Sequence, residues 1–203
     1  MNQKPNIANL ILAAGGSTRM SSPKQLLPWK GSFLLNHAIT IANKIENVTT
    51  FVVLGAYFKD IHSKLDRTKI KIIHNQKWKN GLGHSIATGV AFIKNQPIAY
   101  DGILIMLADQ PLITADFVNQ VIRLFEPNKK QIIASSYENN TMGVPALFDV
   151  AYSDELQNLN KDMGAKRLIH DHKDQVITID AKEFISDIDT LEDYQRLYTA
   201  NHQ

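Results

Sequence analysis

The chain has 203 residues, of which 44% are hydrophobic and 21% are charged, and this composition excludes wholesale disorder. Lys and Arg number 22 against 20 Asp and Glu, and no basic stripe of the kind used for nucleic acid interrupts this balance. The absence of cysteine excludes disulfides, thiolate metal sites and cysteine nucleophiles. The first apolar stretch, residues 7–14, is too short to span a membrane. We therefore expect a cytoplasmic protein with no nucleic-acid partner and no membrane partner.

Short apolar runs rich in β-branched residues alternate with amphipathic stretches along the first two thirds of the chain. Helical periodicity predicts a helix that Ser32 caps, a second helix over 83–93 and a third that Thr114 caps. This alternation predicts an α/β fold that is Rossmann-like and doubly wound, with a mostly parallel sheet between two helical layers (three-layer αβα). The runs with the composition of buried strands are 7–13, 48–54, 70–74, 102–107 and 131–135.

After about residue 142 the segments become shorter, but no Pro, Gly or Ser-rich linker separates them from the rest. We therefore expect residues 1–203 to form a single domain. Ligands of doubly wound sheets bind beyond the carboxyl ends of the strands, which directs attention to the loops 14–28, 75–83 and 108–111. The tail contains a predicted strand at 144–148, short segments of unassigned type at 151–159, 164–170 and 176–179, and a final predicted helix at 191–198.

The loop after the first strand is rich in small residues and is followed by two cations. Paired glycines allow a sharp backbone turn that presents N–H groups to an anion, and a polyphosphate needs cations close by. A solvated turn with two surface cations is the plainer interpretation of the same residues. The string matches neither the dinucleotide nor the Walker A pattern. It reads Leu12, Ala13, Ala14, Gly15, Gly16, Ser17, Thr18, Arg19 and Met20, with Lys24 after it.

Carboxylates stand at two other places where ligands could reach them. Asp109 follows the predicted strand 102–107, where it could hold Mg²⁺ on a nucleotide or could simply belong to a turn before Pro111. Asp187 and Asp189 precede the last predicted helix, where helix capping is the ordinary explanation. Neither place alone decides between a ligand site and local structure.

Five segments, taken together and in this order, resemble the MobA-like nucleotidyltransferase family, which includes molybdenum cofactor guanylyl- and cytidylyltransferases. The strings LAAG, ADQP and DIDT resemble the MocA-like branch, the molybdenum cofactor cytidylyltransferases. The resemblance implies the nucleotide-diphospho-sugar transferase type of Rossmann-like fold. The segments are residues 12–24, 81–85, 108–111, 143–148 and 187–193.

The resemblance implies a Mg²⁺-dependent transfer of a nucleoside monophosphate from a nucleoside triphosphate, with CTP favoured, to a phosphorylated acceptor, releasing pyrophosphate. The implied acceptor is molybdopterin, with a transient molybdoenzyme partner. Arg19, Lys24 and Asp109 would be catalytic, and Asp109 and Asp189 would hold the metal, with Asp187 as a weaker candidate. The implied nucleotide contacts are Leu12, Ala13, Ala14, Gly15, Gly16, Ser17, Arg19, Lys24, Asn80, Gly81, Gly83 and Ser85, and the implied acceptor contacts are Gly143, Pro145, Lys166 and Arg167.

The base pocket is expected between Ala13-Ala14 and the turn at 80–85. Guanylyltransferases of the family usually carry Gly where this chain has Ala14, so the extra methyl group favours cytosine over a purine. Ser85 either caps the helix that it opens or reaches the ligand. Trp78 is interpreted as a packing residue beside the same turn.

Departures from the family pattern concern the acceptor side. Gly143-Val144-Pro145 replaces the usual Gly-Asn-Pro, and Gly164-Ala165-Lys166 replaces the usual Gly-Ala-Arg. Lysine cannot copy a bidentate arginine contact, so either Arg167 substitutes or the acceptor differs. The alternatives are therefore a sugar or polyol phosphate as acceptor, or a non-catalytic accessory protein that binds a pterin or a nucleotide.

Overall fold

A computed structural model of the chain describes residues 4–20, 22–138, 141–160, 163–184 and 186–202. The strands within these residues are β1 (Ile7–Ala13), β2 (Pro28–Trp29), β3 (Ser32–Phe33), β4 (Val48–Leu54), β5 (Ile70–His74), β6 (Gly102–Leu107), β7 (Ile132–Ser136), β8 (Met142–Asp149) and β9 (Val176–Asp180). Seven of them form a sheet with the order β5-β4-β1-β6-β8-β7-β9, in which only β8 runs antiparallel to its neighbours. A two-stranded hairpin, β2-β3, lies apart from this sheet.

Helices cover both faces of the sheet. One face of the sheet is covered by the helices that contain Leu35, Ile61 and Phe117, and the other face by the helices that contain Ile86 and Leu168. All seven residues of β1 are buried, because this strand lies between β4 and β6 and is covered on both sides. The helices are α1 (Leu34–Ala42), α2 (Phe58–His62), α3 (Leu82–Lys94), α4 (Ala115–Arg123), α5 (Ser153–Gln157), α6 (Ala165–Asp171) and α7 (Leu191–Asn201).

The three-layer, mostly parallel α/β architecture expected from the sequence is confirmed. The strands predicted at 7–13, 48–54, 70–74 and 102–107 have those bounds, and Thr114 caps α4 by accepting a hydrogen bond from the Phe117 N–H at 3.2 Å. The strands predicted at 131–135 and 144–148 differ from β7 and β8 by one or two residues at their ends, and the segment 176–179 lies within β9.

The predicted cap of the first helix is wrong. Ser32 does not cap α1, because it lies in β3 and its hydroxyl accepts from the Asn36 side chain at 2.8 Å, while Phe33 occupies the cap position. The segment 151–159 contains α5, and Asp149 starts a 3₁₀ turn before this helix by accepting a hydrogen bond from the Ala151 N–H.

The C-terminal segment returns to the carboxyl ends of β1 and β6. Trp29 of the hairpin, Leu34, Ile188 and Leu197 of α7 form a separate buried cluster. The Ile188 N–H donates to the Asp109 carbonyl at 3.1 Å, which brings the acidic segment beside the loop after β6. None of the helices within the described ranges has the length and apolarity that a membrane crossing requires.

Candidate functional site

A cavity of about 400 Å³ opens at the carboxyl ends of β1 and β6, and we call it the loop cavity. It lies where the strand order reverses direction around β1, the position at which open α/β sheets bind ligands. Its lining residues are Leu12, Ala13, Ala14, Gly15, Gly16, Lys24, Gln25, Trp78, Lys79, Gly81, Leu82, Ser85, Leu107, Ala108, Asp109, Asp187 and Asp189.

The carbonyl groups of the glycine loop, residues 13–17, are held by the surrounding protein. The Gln25 amide donates to the Ala13 and Gly15 carbonyls at 3.0 and 2.9 Å. The Ala56 N–H donates to the Ala14 carbonyl at 3.1 Å, so a third carbonyl of the loop is directed at a protein donor.

The carbonyl groups of Gly16 and Ser17 also accept hydrogen bonds from the protein, whereas several N–H groups of the loop have no acceptor. The Tyr57 hydroxyl donates to the Gly16 carbonyl at 3.2 Å, and the Met20 N–H donates to the Ser17 carbonyl at 2.8 Å. The N–H groups of residues 15–18, in contrast, have no acceptor within the part of the chain that the structure describes. Successive free N–H groups on a glycine turn form a concave anion-binding surface.

The Trp78 ring packs directly on the glycine loop. A Cβ atom at Gly16 would lie 2.9 Å from two ring carbons of Trp78, and one at Gly55 would lie 2.6 Å from the Trp78 Cβ. Glycine is therefore required at both positions for this close approach. The Lys79 ammonium lies 5.7 Å from the centre of the Trp78 ring, which adds a cation at the edge of the loop cavity.

A cation and two carboxylates meet at the floor of the loop cavity. The Lys24 ammonium forms an ion pair with Asp109, donates to the Ile188 carbonyl at 3.0 Å and lies 3.6 Å from an Asp189 oxygen. Although burial opposes it, this pairing raises the pKa of Lys24, so the ammonium stays charged. Arg19 is mostly exposed and lies 3.7 Å from Asp189, at the outer edge of the same cluster.

Asp109 has the features of a cation ligand. Its second oxygen, Oδ1, is buried and has no hydrogen-bond partner among the described residues. Burial raises the pKa of this carboxyl, and the nearby Lys24 opposes that shift. Asp189 is more than half exposed and can turn toward a ligand. Two carboxylates with phosphate oxygens and waters meet the requirements of Mg²⁺; no group of three or more potential ligands occurs in the described ranges.

A second and larger cavity of about 1080 Å³ adjoins the first, and we call it the wide cavity. Leu12, Leu82, Leu107 and Asp187 line both cavities, so the two spaces share a wall. The residues that line only the wide cavity are Ile86, Ile105, Gln110, Tyr137, Glu138, Thr141, Val144, Gly164, Ala165, Lys166, Lys182, Ser186 and Arg196.

Gln110 connects the shared wall to the wide cavity. Its amide donates to Asp187 Oδ1 at 2.9 Å and to the Val144 carbonyl at 3.3 Å. The Tyr137 hydroxyl also donates to the Val144 carbonyl, and burial raises the pKa of this hydroxyl. Asp187 is thus held in a fixed orientation at the junction of the two cavities.

The structure places most of the predicted nucleotide contacts on the loop cavity and leaves a few outside its lining. The Ser17 hydroxyl accepts from the Lys24 N–H at 2.9 Å and so shapes the loop. Asn80 belongs to the 3₁₀ turn before Gly81. Gly83 packs against the chain at Asn160 and Met163, where a Cβ would lie 2.6 Å from the Met163 carbonyl oxygen.

Ser85 does not cap α3, because the helix begins three residues earlier at Leu82 and Gly81 occupies the cap position. The Ser85 hydroxyl instead accepts from the Asn75 side chain at 3.0 Å. Because Ser85 also lines the loop cavity, the ligand-contact alternative stays a prediction.

Only one of the predicted acceptor contacts, Lys166, lines the wide cavity. Gly143 and Pro145 lie beside it in β8, and the Pro145 carbonyl accepts from the buried Ser135 hydroxyl at 2.6 Å. Arg167 is directed elsewhere, because its guanidinium contacts Asp171 at 3.4 Å and the Met163 sulfur at 2.6 Å.

Sequence reasoning missed several residues of both cavities. Trp78 packs as expected, but it also forms part of the loop-cavity wall. Gln25 carried no signal, because a glutamine between Lys24 and an apolar pair is typical of a solvated turn. The other missed side chains of the two cavities include Lys79, Leu82, Leu107, Gln110, Tyr137, Glu138, Thr141, Lys182, Ser186 and Arg196.

A glycine loop with free N–H groups, a buried lysine and paired carboxylates at the end of a parallel sheet defines a protein of the nucleotidyltransferase class. The chain belongs to the MobA-like NTP transferase domain family, which matches residues 9–176. Two relatives align with this chain over almost the whole length of both proteins. The purine catabolism protein PucB of Bacillus subtilis is 27% identical over 98% of each chain, and the nicotine blue oxidoreductase of Paenarthrobacter nicotinovorans is 27% identical over 95% of this chain and 97% of its own.

Solved structures share the fold. Rv0371c of Mycobacterium tuberculosis is 26% identical, with a TM-score of 0.84 over 97% of this chain and 99% of its own. A complex of that protein with manganese has a TM-score of 0.79 at 26% identity, over 96% and 99% of the two chains. A nucleotidyl transferase from Methanothermobacter has a TM-score of 0.80 at 16% identity, over 96% of each chain, and so shows the fold alone.

Proposed function

We propose that this chain transfers the nucleoside monophosphate of CTP to a phosphorylated acceptor, molybdopterin, with Mg²⁺ as the metal. The observation that carries the proposal is the pair of adjoining cavities with a common wall. The loop cavity has anion-binding N–H groups and a cation–carboxylate cluster, and the wide cavity has the volume for a second, larger substrate. We also propose that the chain folds as a single domain, that it is located in the cytoplasm and that it interacts transiently with a molybdoenzyme.

The reaction needs charge neutralisation more than proton transfer. An oxygen of the acceptor phosphate attacks the α-phosphorus of the nucleotide, and the bond from that phosphorus to the bridging oxygen of pyrophosphate breaks. The attacking oxygen is already anionic, so no strong base is required. Free loop N–H groups with Lys24 and Arg19 compensate the charge on the phosphates, and placement in adjoining cavities supplies the in-line orientation.

Asp109 and Asp189 would hold the metal ion. The unpartnered, buried Oδ1 of Asp109 is the feature of the chain that fits such a ligand. A bound divalent ion supplies charge compensation at phosphate oxygens. The manganese complex of Rv0371c, a relative at 26% identity, supports a divalent metal in this family, and Mg²⁺ is the ion that we propose for this chain.

A pyrophosphate-release assay tests the proposal. Each of the four ribonucleoside triphosphates is mixed with molybdopterin or with one member of a panel of sugar and polyol phosphates, with Mg²⁺ or with a chelator. We expect release with CTP and molybdopterin, and none with the chelator. Release only with a sugar or polyol phosphate would reject the acceptor, and preference for GTP would reject the base. Nucleotide binding without release under any condition would favour an accessory protein.

A further inference from the structure

Gln25 is a buried polar residue whose side chain contacts the glycine loop. Its side chain is 3% exposed, although it follows Lys24 in a short 3₁₀ turn at the surface. Both amide contacts go to loop carbonyls, Ala13 at 3.0 Å and Gly15 at 2.9 Å. The buried N–H groups of this amide are therefore satisfied by the loop, whereas its Oε1 atom has no hydrogen-bond partner among the described residues. The two N–H contacts connect the turn to the loop.

These two hydrogen bonds also set the direction of the adjoining N–H groups. In a planar trans peptide the carbonyl and the N–H of the next residue point in opposite directions. The carbonyls of Ala13 and Gly15 point at Gln25, so the N–H groups of Ala14 and Gly16 point away from it. The Tyr57 hydroxyl supports the same arrangement by holding the Gly16 carbonyl at 3.2 Å.

The electrostatic consequence concerns a polyanion. Ala13, Gly15, Gly16 and Gln25 itself line the loop cavity, and a loop carbonyl oxygen that Gln25 did not hold would repel a triphosphate there. An N–H group that faces it attracts the same ligand. The Gln25 amide therefore discriminates between two orientations of the loop peptides, of which one binds phosphate.

We propose that Gln25 is a positioning residue for the triphosphate, which acts through the glycine loop and does not need to touch the nucleotide. The proposal rests on the proposed nucleotidyl transfer. Gln25 should therefore affect the affinity for the phosphate groups of a nucleotide and should not affect the preference for one base over another.

The test compares binding of inorganic triphosphate, CTP and GTP, each with Mg²⁺, by calorimetry. Gln25→Met keeps the length of the side chain and removes the N–H donors, and Gln25→Glu keeps its shape and places a negative charge against two carbonyls. Tyr57→Phe removes only the hydroxyl from a half-buried ring, so it tests the loop even if the Gln25 variants fail to fold. Gln96→Met is the matched control, because the Gln96 amide donates to the Phe92 carbonyl at 3.1 Å far from the loop.

We expect Gln25→Met to weaken inorganic triphosphate and both nucleotides by about tenfold, Gln25→Glu to weaken them further and Tyr57→Phe to weaken them by about threefold. The ratio of CTP to GTP affinity should stay at its wild-type value, and Gln96→Met should match the wild type. A role limited to stability would lower the melting temperature and leave the affinity of the folded protein unchanged.

Triphosphate affinity within twofold of the wild type in every folded variant among Gln25→Met, Gln25→Glu and Tyr57→Phe would overturn the positioning role, as would a changed CTP to GTP ratio. Those outcomes leave the proposed function standing. Wild-type protein that binds neither CTP nor inorganic triphosphate would instead reject the proposed function, and the role of Gln25 with it.

Discussion

The two adjoining cavities are built in different ways. One wall of the loop cavity is the glycine loop, whose carbonyls are held by Gln25, Ala56 and Tyr57. The wide cavity is bordered by long side chains that pair with acids on their own segments, such as Lys182 with Asp180 at 3.3 Å. A wall of fixed peptide groups suits a constant ligand part such as a triphosphate, whereas a border of side chains can be changed by single substitutions.

The charge pairs of the two cavities also differ in strength, because those of the loop cavity are buried and those of the wide cavity are exposed. Lys24 and Asp109 are each less than one-fifth exposed, so their pairing is weakly screened and removal of one partner leaves the other poorly compensated. Lys182 and Asp180 are each more than half exposed, and exposed pairs contribute only ~0–1 kcal/mol. The border of the wide cavity can therefore release its cations to a phosphorylated ligand at little cost.

Removal of the buried carboxylate should have the largest effect. We expect Asp109→Asn to lower pyrophosphate release by about a thousandfold, because the proposed metal ligand and the partner of Lys24 are lost together. Circular dichroism and thermal melting check that the variant is folded. Turnover near the wild-type rate at saturating Mg²⁺ would contradict a metal-binding role for Asp109.

The substitutions of Lys24 and Arg19, the two cations of the charge cluster, should differ in effect according to the burial of each side chain. Lys24→Ala removes a mostly buried ammonium and should lower kcat/KM by about a hundredfold. Arg19→Ala removes an exposed guanidinium and should lower it by about tenfold. Both should affect CTP and GTP equally, because phosphate carries no base identity. A tenfold change in the ratio of the two nucleotides would show that either side chain acts on the base.

A pair of neighbours tests the wide cavity. Lys166 lines it and Arg167 is directed at Asp171 and Met163. We expect Lys166→Ala to raise the KM for the acceptor about fivefold without changing the KM for the nucleotide, since an exposed charge contact is worth roughly 1 kcal/mol. Arg167→Ala is the matched control and should leave both KM values within twofold. The reverse pattern would mean that Arg167 turns toward the acceptor when it binds.

The sequence predicts the parts of the fold that depend on local hydrophobic pattern. β1, β4, β5 and β6 begin and end at the predicted residues, because long β-branched runs are unambiguous. The two-residue strands β2 and β3 and the five-residue α2 are too short to leave a pattern. The antiparallel insertion of β8 between β6 and β7 depends on long-range pairing that no local window contains.

The site divides along the same line. Lys24, Asp109 and Asp189 were predicted from motif positions, and the fold brings them into one cluster. Gln25 and Gln110 were not predicted, because glutamine is mostly exposed in proteins and only the tertiary structure buries these two. Residues that bind through charge leave a sequence signal, whereas residues that orient the backbone leave almost none.

The smallest expected effect is a change of base preference at the edge of the loop cavity. Ala14 is 5% exposed, and a Cβ at Gly55 would lie 2.9 Å from the Ala14 methyl carbon, so this methyl group fills space between the glycine loop and the segment after β4. Ala14→Gly vacates that space and should admit GTP more readily. The CTP to GTP ratio of kcat/KM should fall by less than about fivefold, because one methyl group in a pocket is worth ~1–3 kcal/mol and this one, which is largely covered, should contribute less than the lower value. Glycine also adds backbone freedom, which lowers both rates, so the ratio is the quantity to measure.

Ala99→Gly is the control, because it makes the same change in a loop far from both cavities and should leave the ratio unaltered. An unchanged ratio in Ala14→Gly would place base selection in the turn at 80–85.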